Sequence, residues 1–304
     1  MKFFLGIFLL FFSGCVLFST EKMEQERVMT EGSQQLRVWM LSDIQPQTIG
    51  QRADFERAVE DMMNNFDKID LGILAGDILP SGSRAEAYEW FLRTRVYAPV
   101  NHWYEVAGNH DVRSGRVFQK YFPLPPHYGV EVGNILLLLL SDQSQASQTE
   151  IADESFQWWE SMVRKHQDKI IVTVTHAQLR HSGLLGSLLP SRRIYRSDRF
   201  ENVLSKYRTA LWVSGHTHLP HGLTGTVSEK SQFQNVSFVN VSSIGSSLLK
   251  DSQSRFFIFQ DGSTSLLMRS RNHSKKKFEK KLDHEITLQK PFRYNGQPPR
   301  LIIP

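Results

Sequence analysis

Apolar and polar positions along this chain alternate between two kinds of segment. Short runs of consecutive apolar residues, typical of buried strands, stand between longer stretches with the spacing of amphipathic helices. In Glu154–His166, for example, Phe156, Trp159, Met162 and Val163 recur at helical spacing. The predicted strands are Leu36–Leu41, Leu71–Ala75, His102–Val106, Ile135–Leu140, Ile170–Thr175 and Leu211–Ser214. The other predicted helices are Arg52–Asn65, Arg84–Tyr97 and Asp198–Tyr207. This alternation predicts an α/β fold, with helices packed on sheets.

The later part of the chain changes character. After Thr217 the helical pattern fades, and short β-type runs such as Val236–Val241 and Phe256–Phe259 follow, separated by Gly and Ser. Neither an internal repeat nor a second domain boundary is visible, so residues 36–304 are predicted to form a single domain. The preceding residues 19–35 are polar and charged without an apolar period, which predicts a flexible tether.

The first 18 residues carry the pattern of an export signal. Lys2 precedes the apolar run Phe3–Phe12, which is short for a bilayer span, and small residues follow before Cys15, the only cysteine. This arrangement resembles a bacterial lipoprotein signal, in which the cysteine is acylated. We therefore expect an exported protein, periplasmic or at the cell surface, that is anchored to the membrane by lipid at Cys15. Because Val16–Phe18 prolong the apolar stretch, an uncleaved signal anchor is the alternative.

Polar side chains that can bind metals follow one predicted strand after another. They are Asp43, Asp77, Asn109 and His110 after the first three strands, and His176, His216 and His218 after two later ones. The carboxyl ends of parallel strands meet at one edge of an open α/β sheet, which is where such folds build their sites. A single Asp or His in such a position is usually structural, but packing alone does not explain so many at one edge. The sequence therefore predicts a metal site there.

Three short motifs make this pattern specific. Gly76-Asp77, Gly108-Asn109-His110-Asp111 and Gly215-His216-Thr217-His218 occur in this order, each at the end of a β-type run. With them, the chain from Leu36 to Ser247 resembles the calcineurin-like metallophosphoesterase superfamily. The resemblance implies two stacked mixed β-sheets flanked by helices, a four-layer sandwich. It also implies an enzyme that hydrolyses phosphomonoesters or phosphodiesters.

The resemblance assigns a role to each residue. Asp77 would bridge two divalent metal ions, drawn from Mn, Fe, Zn or Mg, which activate a water molecule as the nucleophile. One metal site would be completed by Asp43, Gln45 and His218, and the other by Asn109, His176 and His216. His110 would not be a ligand but would face the phosphate and protonate the leaving group. Carboxylate, amide and imidazole donors around a shared carboxylate suit such a pair of cations.

The first motif departs from the family pattern. It reads Ser42-Asp43-Ile44-Gln45, with glutamine where the family usually has histidine. Glutamine can bind a metal through its carbonyl oxygen, so an active variant site is one interpretation. The alternative is a broken first site, in a lipoprotein that binds a phosphorylated ligand without hydrolysing it.

The distribution of charge raises a third possibility, a nuclease, but also gives a reason against it. The formal net charge is +5, and much of it lies in the segment Arg269–Lys281, which favours an anionic partner such as lipid or nucleic acid. Interleaved acidic residues make a solvated hairpin or helix face the preferred interpretation of this segment. A nuclease of the same superfamily therefore stays an alternative, while nucleic acid is not the expected partner. The expected partner is a phosphate-ester substrate, and no protein partner is implied.

Overall fold

The computed structural model describes residues 34–46, 49–144, 149–247 and 250–304. The predicted signal segment 1–18 and residues 19–33 of the predicted tether lie outside the described residues, as does Cys15. Among the helices that are described, none is long and apolar enough to cross a membrane.

The first of two seven-stranded sheets is built around three parallel strands. They are β1 (Gln35–Leu41), β2 (Ile69–Ala75) and β3 (Val100–Val106), which pair in the order β1-β2-β3. Antiparallel strands extend the sheet beyond β1, namely β10 (Gln253–Gln260), β11 (Ser265–Asn272), β12 (Lys277–Phe278) and β13 (His284–Thr287). The sheet is therefore mixed, with a parallel half and an antiparallel half.

The second seven-stranded sheet has a parallel centre between antiparallel margins. The central strands are β5 (Ile135–Leu140), β6 (Ile170–Thr175), β7 (Leu211–Ser214) and β9 (Val236–Asn240). The marginal strands are β4 (His127–Val132), β8 (Val227–Lys230) and β14 (Arg300–Ile302). The order across the sheet is β14-β4-β5-β6-β7-β9-β8.

Six α-helices are described, and they lie between the strands in the sequence. They are α1 (Ile49–Asn65), α2 (Ala85–Arg95), α3 (Asn109–Arg113), α4 (Arg116–Tyr121), α5 (Asp153–Lys165) and α6 (Asp198–Leu204). Helices α1 and α2 pack on the first sheet, and α5 and α6 on the second.

Side-chain alternation along the strands creates the layers. In β5, Leu137 and Leu139 point into the core between the two sheets, whereas Leu136 and Leu138 point to the core under α5 and α6. The side chains of β1 alternate in the same way, because Val38 lies in the core between the sheets and Trp39 lies in the core under α1. Both faces of each sheet are thus covered, which explains the continuous apolar runs. The predicted α/β fold of two stacked mixed sheets with flanking helices is confirmed.

Most predicted elements occur, with ends moved by a few residues. The helix predicted as Arg84–Tyr97 is shorter, since α2 covers Ala85–Arg95, and Asp198–Tyr207 ends at Leu204. The sequence missed α3, α4, β4 and the short strands that complete the sheet margins.

The basic segment Arg269–Lys281 is only partly exposed to solvent, whereas the sequence predicts a solvated segment throughout. Its first half belongs to β11, where Arg269 and Arg271 are buried, so a wholly solvated face is wrong there. Arg271 forms a fully buried ion pair with Asp61, 2.6 Å from Nη2 to Oδ1. Lys275 pairs with Asp251 at 2.7 Å and so belongs to the solvated turn that was expected.

Candidate metal centre

The predicted ligands come from the carboxyl ends of parallel strands in both sheets. Strands β1, β2 and β3 supply the residues of the first three motifs, and β6 and β7 supply the three ligand histidines. Four of these residues hold a left-handed backbone conformation, with φ between 52° and 66°, and they are Asp43, Asp77, His216 and His218. A non-glycine residue in this region is uncommon, so four of them at one site indicate that the surroundings impose the conformation.

One group of ligand atoms forms around the carboxylate of Asp43. Its Oδ1 is buried and lies 2.8 Å from Nε2 of His218, which is its one close partner among the described residues. Its Oδ2 accepts hydrogen bonds from the hydroxyl of Ser42 at 2.6 Å and from the backbone N–H of His216 at 2.8 Å. The carboxylate is thereby fixed with its other oxygen turned toward His218.

A second group forms around the carboxylate of Asp77. Nε2 of His176 lies 3.1 Å from Asp77 Oδ2, and Nδ1 of His216 lies 3.1 Å from the same His176 nitrogen. Ligand atoms of these three buried or half-buried residues all lie within 4.8 Å of one another, which makes them a candidate metal cluster.

Two backbone carbonyls select the tautomers of these histidines. Nδ1 of His176 donates to the carbonyl of Ala75 at 2.9 Å, and Nε2 of His216 donates to the carbonyl of Ser191 at 2.9 Å. In the neutral rings the remaining nitrogens, His176 Nε2 and His216 Nδ1, then face each other with lone pairs at 3.1 Å. Such an arrangement needs a cation or a proton between the two rings.

The electrostatics of the cluster agree with a missing positive charge. Burial alone would lower the pKa of His176, but the carboxylates of Asp77 and Asp43 reverse this effect and raise its pKa to about 10. Burial lowers the pKa of His216 to about 4, with the charge on His176 acting in the same direction. Burial opposes ionisation of Asp43, yet the neighbouring His218 and His176 hold its pKa below the usual range. The carboxylates thus draw one positive charge into the site.

Gln45 joins the two groups. Its Nε2 donates to Asp77 Oδ2 at 2.8 Å and lies 3.4 Å from Nε2 of His218. The amide nitrogen therefore occupies the place that a metal-binding group needs, between the Asp43 group and the Asp77 group. Rotation of the amide by half a turn would put the carbonyl oxygen in the same place, because the two ends of the amide are nearly equal in shape.

The loop after β3 carries Asn109 and His110. The backbone N–H of His110 donates to Asp77 Oδ1 at 2.9 Å, and its Nε2 lies 3.9 Å from Asp77 Oδ2. Ser81 Oγ contacts Nδ1 of the same ring at 2.9 Å, and the His110 side chain is 32% exposed. Asn109 is buried, and its Oδ1 has no hydrogen-bond partner.

Asp111 fixes this loop from behind. Its buried carboxylate accepts hydrogen bonds from the backbone N–H groups of Ile78, Leu79 and Gly108 at 2.9 to 3.2 Å. It therefore ties the loop after β2 to the loop after β3. Burial and the nearby charge of Asp77 raise the pKa of Asp111 to about 7, although the three backbone donors oppose this shift.

The residues fit divalent cations on this geometry. One buried acceptor oxygen, Asn109 Oδ1, lacks a hydrogen bond, and two imidazole nitrogens face each other beside a carboxylate. A buried acceptor without a partner is rare in a folded protein and calls for a ligand. Carboxylate, amide and imidazole donors are those that bind Mn, Fe, Zn and Mg.

Some residues that position the site were missed by the sequence analysis. Asn240, at the end of β9, is buried and donates from Nδ2 to the carbonyl of Gly215 and to Oγ1 of Thr217, both at 2.9 Å. Gln178 is also buried and donates to Thr217 Oγ1 at 3.2 Å. Both support the loop that carries His216 and His218. The position of Asn240 at the end of a strand could have pointed to a role in the site. The carbonyl of Ser191, which fixes His216, has no sequence signal of this kind.

An open pocket adjoins the metal centre on the side of Asp43. It has a volume of about 440 Å³, and Asp43, Gln45, His218, Ser246 and Lys250 are among its lining residues. Lys250 contacts the hydroxyl of Ser243. Lys250 and the open side of the metal site thus border the same space.

The sequence matches the model of a known family. Residues 36–220, more than half of the chain, match the family described as calcineurin-like phosphoesterase. The chain therefore belongs to the calcineurin-like phosphoesterases, a class of phosphoester hydrolases. A comparison with curated proteins finds no match.

Solved structures of distant relatives share the fold. A dimetal phosphatase from Danio rerio superposes with a TM-score of 0.59 at 11% identity, over 84% of this chain and 99% of that one. A purple acid phosphatase from yellow lupin, Lupinus luteus, gives 0.63 at 15%, over 84% of this chain and 54% of its own. GAP50, described as the anchor in the inner membrane complex of Plasmodium, gives 0.59 at 13%, over 84% and 90%. At such low identities these likenesses extend to the fold alone.

Proposed function

We propose that this chain hydrolyses phosphate esters, monoesters or diesters, by attack of a water molecule activated between two divalent cations. One observation carries the proposal: His176 Nε2 and His216 Nδ1 face each other at 3.1 Å beside the Asp77 carboxylate, with both tautomers fixed by backbone carbonyls. Two facing acceptor nitrogens beside a carboxylate need a positive charge between them, and a metal ion would supply it at the place where the family binds metal.

Each cation has its own set of donors in this proposal. Asp77 lies between the two sets, since Gln45 and His176 both contact its Oδ2. Asp43, Gln45 and His218 would hold one cation, and Asn109, His176 and His216 the other. Bound there, the cations supply a hydroxide near neutral pH and offset the charge of the phosphate.

His110 is placed to handle the proton of the leaving group. Its Nδ1 is held by Ser81, while Nε2 stays near Asp77 on a half-exposed ring. An imidazole whose second nitrogen faces the phosphate can donate a proton to the departing oxygen. In this proposal the ring acts on the proton and is not a ligand, although its separation of 3.9 Å from Asp77 Oδ2 is within the spacing of the cluster.

A metal-loading assay tests this proposal. The full chain is stripped of metal, reloaded with Mn²⁺, Zn²⁺ or Mg²⁺, and assayed on p-nitrophenyl phosphate and on bis(p-nitrophenyl) phosphate. We expect metal-dependent hydrolysis that is lost in Asp77→Asn, a variant with nearly the same shape. The preferred ester separates a phosphatase from a phosphodiesterase. A folded, metal-loaded chain that turns over neither ester contradicts the proposal.

A second candidate is a protein that binds a phosphorylated ligand without hydrolysing it. It is favoured by Gln45, whose amide donates to the bridging carboxylate and so competes with a cation for Asp77 Oδ2. Metal-dependent binding of inorganic phosphate without turnover of either ester would support this candidate. The nuclease alternative has less support, because Lys275 and Lys276 of the basic segment pair with Asp251 and Glu60.

We also propose that the chain is exported and anchored to a membrane through lipid on Cys15. The apolar run before this cysteine supports the proposal. Mass spectrometry of the mature protein tests it, because the anchored form begins at an acylated Cys15. An intact Met1 would contradict cleavage at this position and favour a signal anchor.

A further inference from the structure

Five exposed apolar side chains lie on two segments that meet near the metal centre, where the backbone of Leu185 bonds to that of Gly225. They are Leu185, Leu188, Leu189, Tyr195 and Leu223, each 46% to 63% exposed, and are called the apolar rim below. These five are half of the large apolar side chains that are exposed in the described part of the chain. Single exposed apolar residues need no explanation, but a cluster at the edge of a site marks an interaction surface.

The rim is physically connected to the metal centre. The carbonyl of Ser191 accepts the hydrogen bond of His216 Nε2 at 2.9 Å, and Arg192 Nη1 donates to the carbonyl of His216 at 3.4 Å. On the other side, the backbone N–H of Leu185 donates to the carbonyl of Gly225 at 2.7 Å, which joins the rim to the loop after His218. Whatever contacts the rim therefore lies next to the second metal-binding group.

The segment that forms most of the rim is cationic as well as apolar. Arg180–Arg196 contains four arginines and one histidine, and neither aspartate nor glutamate. Arg196 pairs with Asp153, but no ion pair of Arg180, Arg192 or Arg193 is found within the described residues. Exposed leucines among arginines that lack an acidic partner are typical of surfaces that lie in the interface of an anionic bilayer, because the apolar groups enter the acyl region and the cations meet the headgroups.

We propose that the apolar rim docks on the surface of an anionic lipid bilayer and brings the metal centre to phosphate esters carried by lipids. The substrate part of this inference rests on the proposed hydrolase function. The docking part rests on the rim alone. A dissolved substrate without an apolar part would gain nothing from five exposed apolar side chains beside the site, whereas a lipid-borne phosphate is presented at the depth that the rim would reach.

An environment-sensitive label tests the docking directly. Cys15 is the only cysteine, so Cys15→Ser in the full chain removes the proposed anchor site and leaves Leu188→Cys as the one reactive thiol. We expect the emission of a fluorophore on this thiol to shift to the blue with vesicles that mix phosphatidylcholine and phosphatidylglycerol. The shift should be smaller with pure phosphatidylcholine and should weaken as salt is raised.

The matched control is Val96→Cys in the same background. Val96 is 71% exposed and precedes β3, whose other end carries Asn109, so it lies at the edge of the sheet away from the site. Its label should not respond to vesicles. Equal shifts at both positions, or none at Leu188→Cys, overturn the proposal. A shift that follows protein concentration without vesicles also overturns it, because the rim would then be occupied by a second copy of the chain.

Activity provides an independent readout. The variant Leu185→Ser/Leu188→Ser/Leu189→Ser is compared with the wild type on phosphatidate in vesicles and on dissolved p-nitrophenyl phosphate. We expect the ratio of the vesicle rate to the dissolved rate to fall about tenfold, since three leucines lose their contact with the bilayer. An unchanged ratio contradicts the substrate class. Vesicle binding needs no turnover and the dissolved ester needs no vesicle, so failure of the docking and failure of the hydrolase are told apart.

Discussion

At the scale of single residues, the site is built from side chains held in an unfavourable backbone conformation. The left-handed φ values of Asp43, Asp77, His216 and His218 each cost on the order of 1–3 kcal/mol. In return, the chain turns sharply out of each strand, and backbone N–H groups reach the carboxylates, as His216 does for Asp43. Ligands are thus positioned by the loops that carry them, at the expense of stability.

Gln45 is the predicted ligand whose substitution should change the metal affinity of the site in either direction. We predict that Gln45→His raises the Mn²⁺ affinity of the site about tenfold, because imidazole is a stronger donor than an amide and the contact of Nε2 with Asp77 is lost. Gln45→Ala should lower this affinity by a similar factor. Isothermal titration of the metal-free chain measures both, with the exposed Gln157→Ala on α5 as control. Equal affinities in the wild type and in both variants of Gln45 would show that position 45 does not bind metal.

Substitution of His110 tests whether this residue acts in catalysis without binding metal. We predict that His110→Ala lowers kcat by about 10²–10³ and leaves the metal content unchanged, because the ring would donate a proton without serving as a ligand. Ser81→Ala, which only frees Nδ1 of the ring, should lower kcat much less. Metal analysis of the purified variants and assays on p-nitrophenyl phosphate give the two readouts. Loss of metal together with activity would reassign His110 to the ligands.

At the scale of elements, the site depends on how closely the loops after the strands approach one another. A Cβ on Gly108 would lie 2.5 Å from the backbone nitrogen of Asp77 and closer still to its Oδ1. We predict that Gly108→Ala separates the loops after β2 and β3, abolishes metal binding and lowers the free energy of unfolding by about 1–3 kcal/mol. Gly222→Ala is the matched control, since its Cβ would meet open space. Metal titration and urea unfolding measure the effects, and equal behaviour of the two variants would refute the argument.

Elements also show what a sequence of this kind reveals and what it hides. The parallel strands buried on both faces, such as β5, are continuous apolar runs, and the ligand-type residues stand directly after them, so both could be predicted. Strand β4 has Gly129 and Glu131 in its pattern, and β12 has two residues, so antiparallel pairing with a neighbour had to define them. The carbonyl that fixes His216 belongs to Ser191 in an irregular loop, and a backbone atom has no sequence signature.

At the scale of the whole molecule, ionisable groups outside the metal ligands are buried as well. Glu105 lies on β3 with its side chain 9% exposed, and its Oε2 is 3.8 Å from Nη1 of Arg95, too far for a hydrogen bond. Burial raises the pKa of Glu105 from 4.5 to about 7, although the charge of Arg95 opposes this. The carboxyl group is therefore more easily kept neutral in the folded chain than in the unfolded one.

This shift sets a sign for the dependence of stability on pH. A raised folded-state pKa contributes stability that is fully present below pH 4.5 and is lost as the pH rises through about 7. A difference of this size corresponds to about 3 kcal/mol. Glu105→Gln cannot ionise, so its free energy of unfolding should gain on that of the wild type as the pH rises from 4.5 to 8. Urea unfolding of the metal-free proteins measures the difference, with the exposed Glu154→Gln on α5 as control. A difference that stays constant across this range would mean that Glu105 ionises in the fold as readily as in water, and that Arg95 compensates for its burial in full.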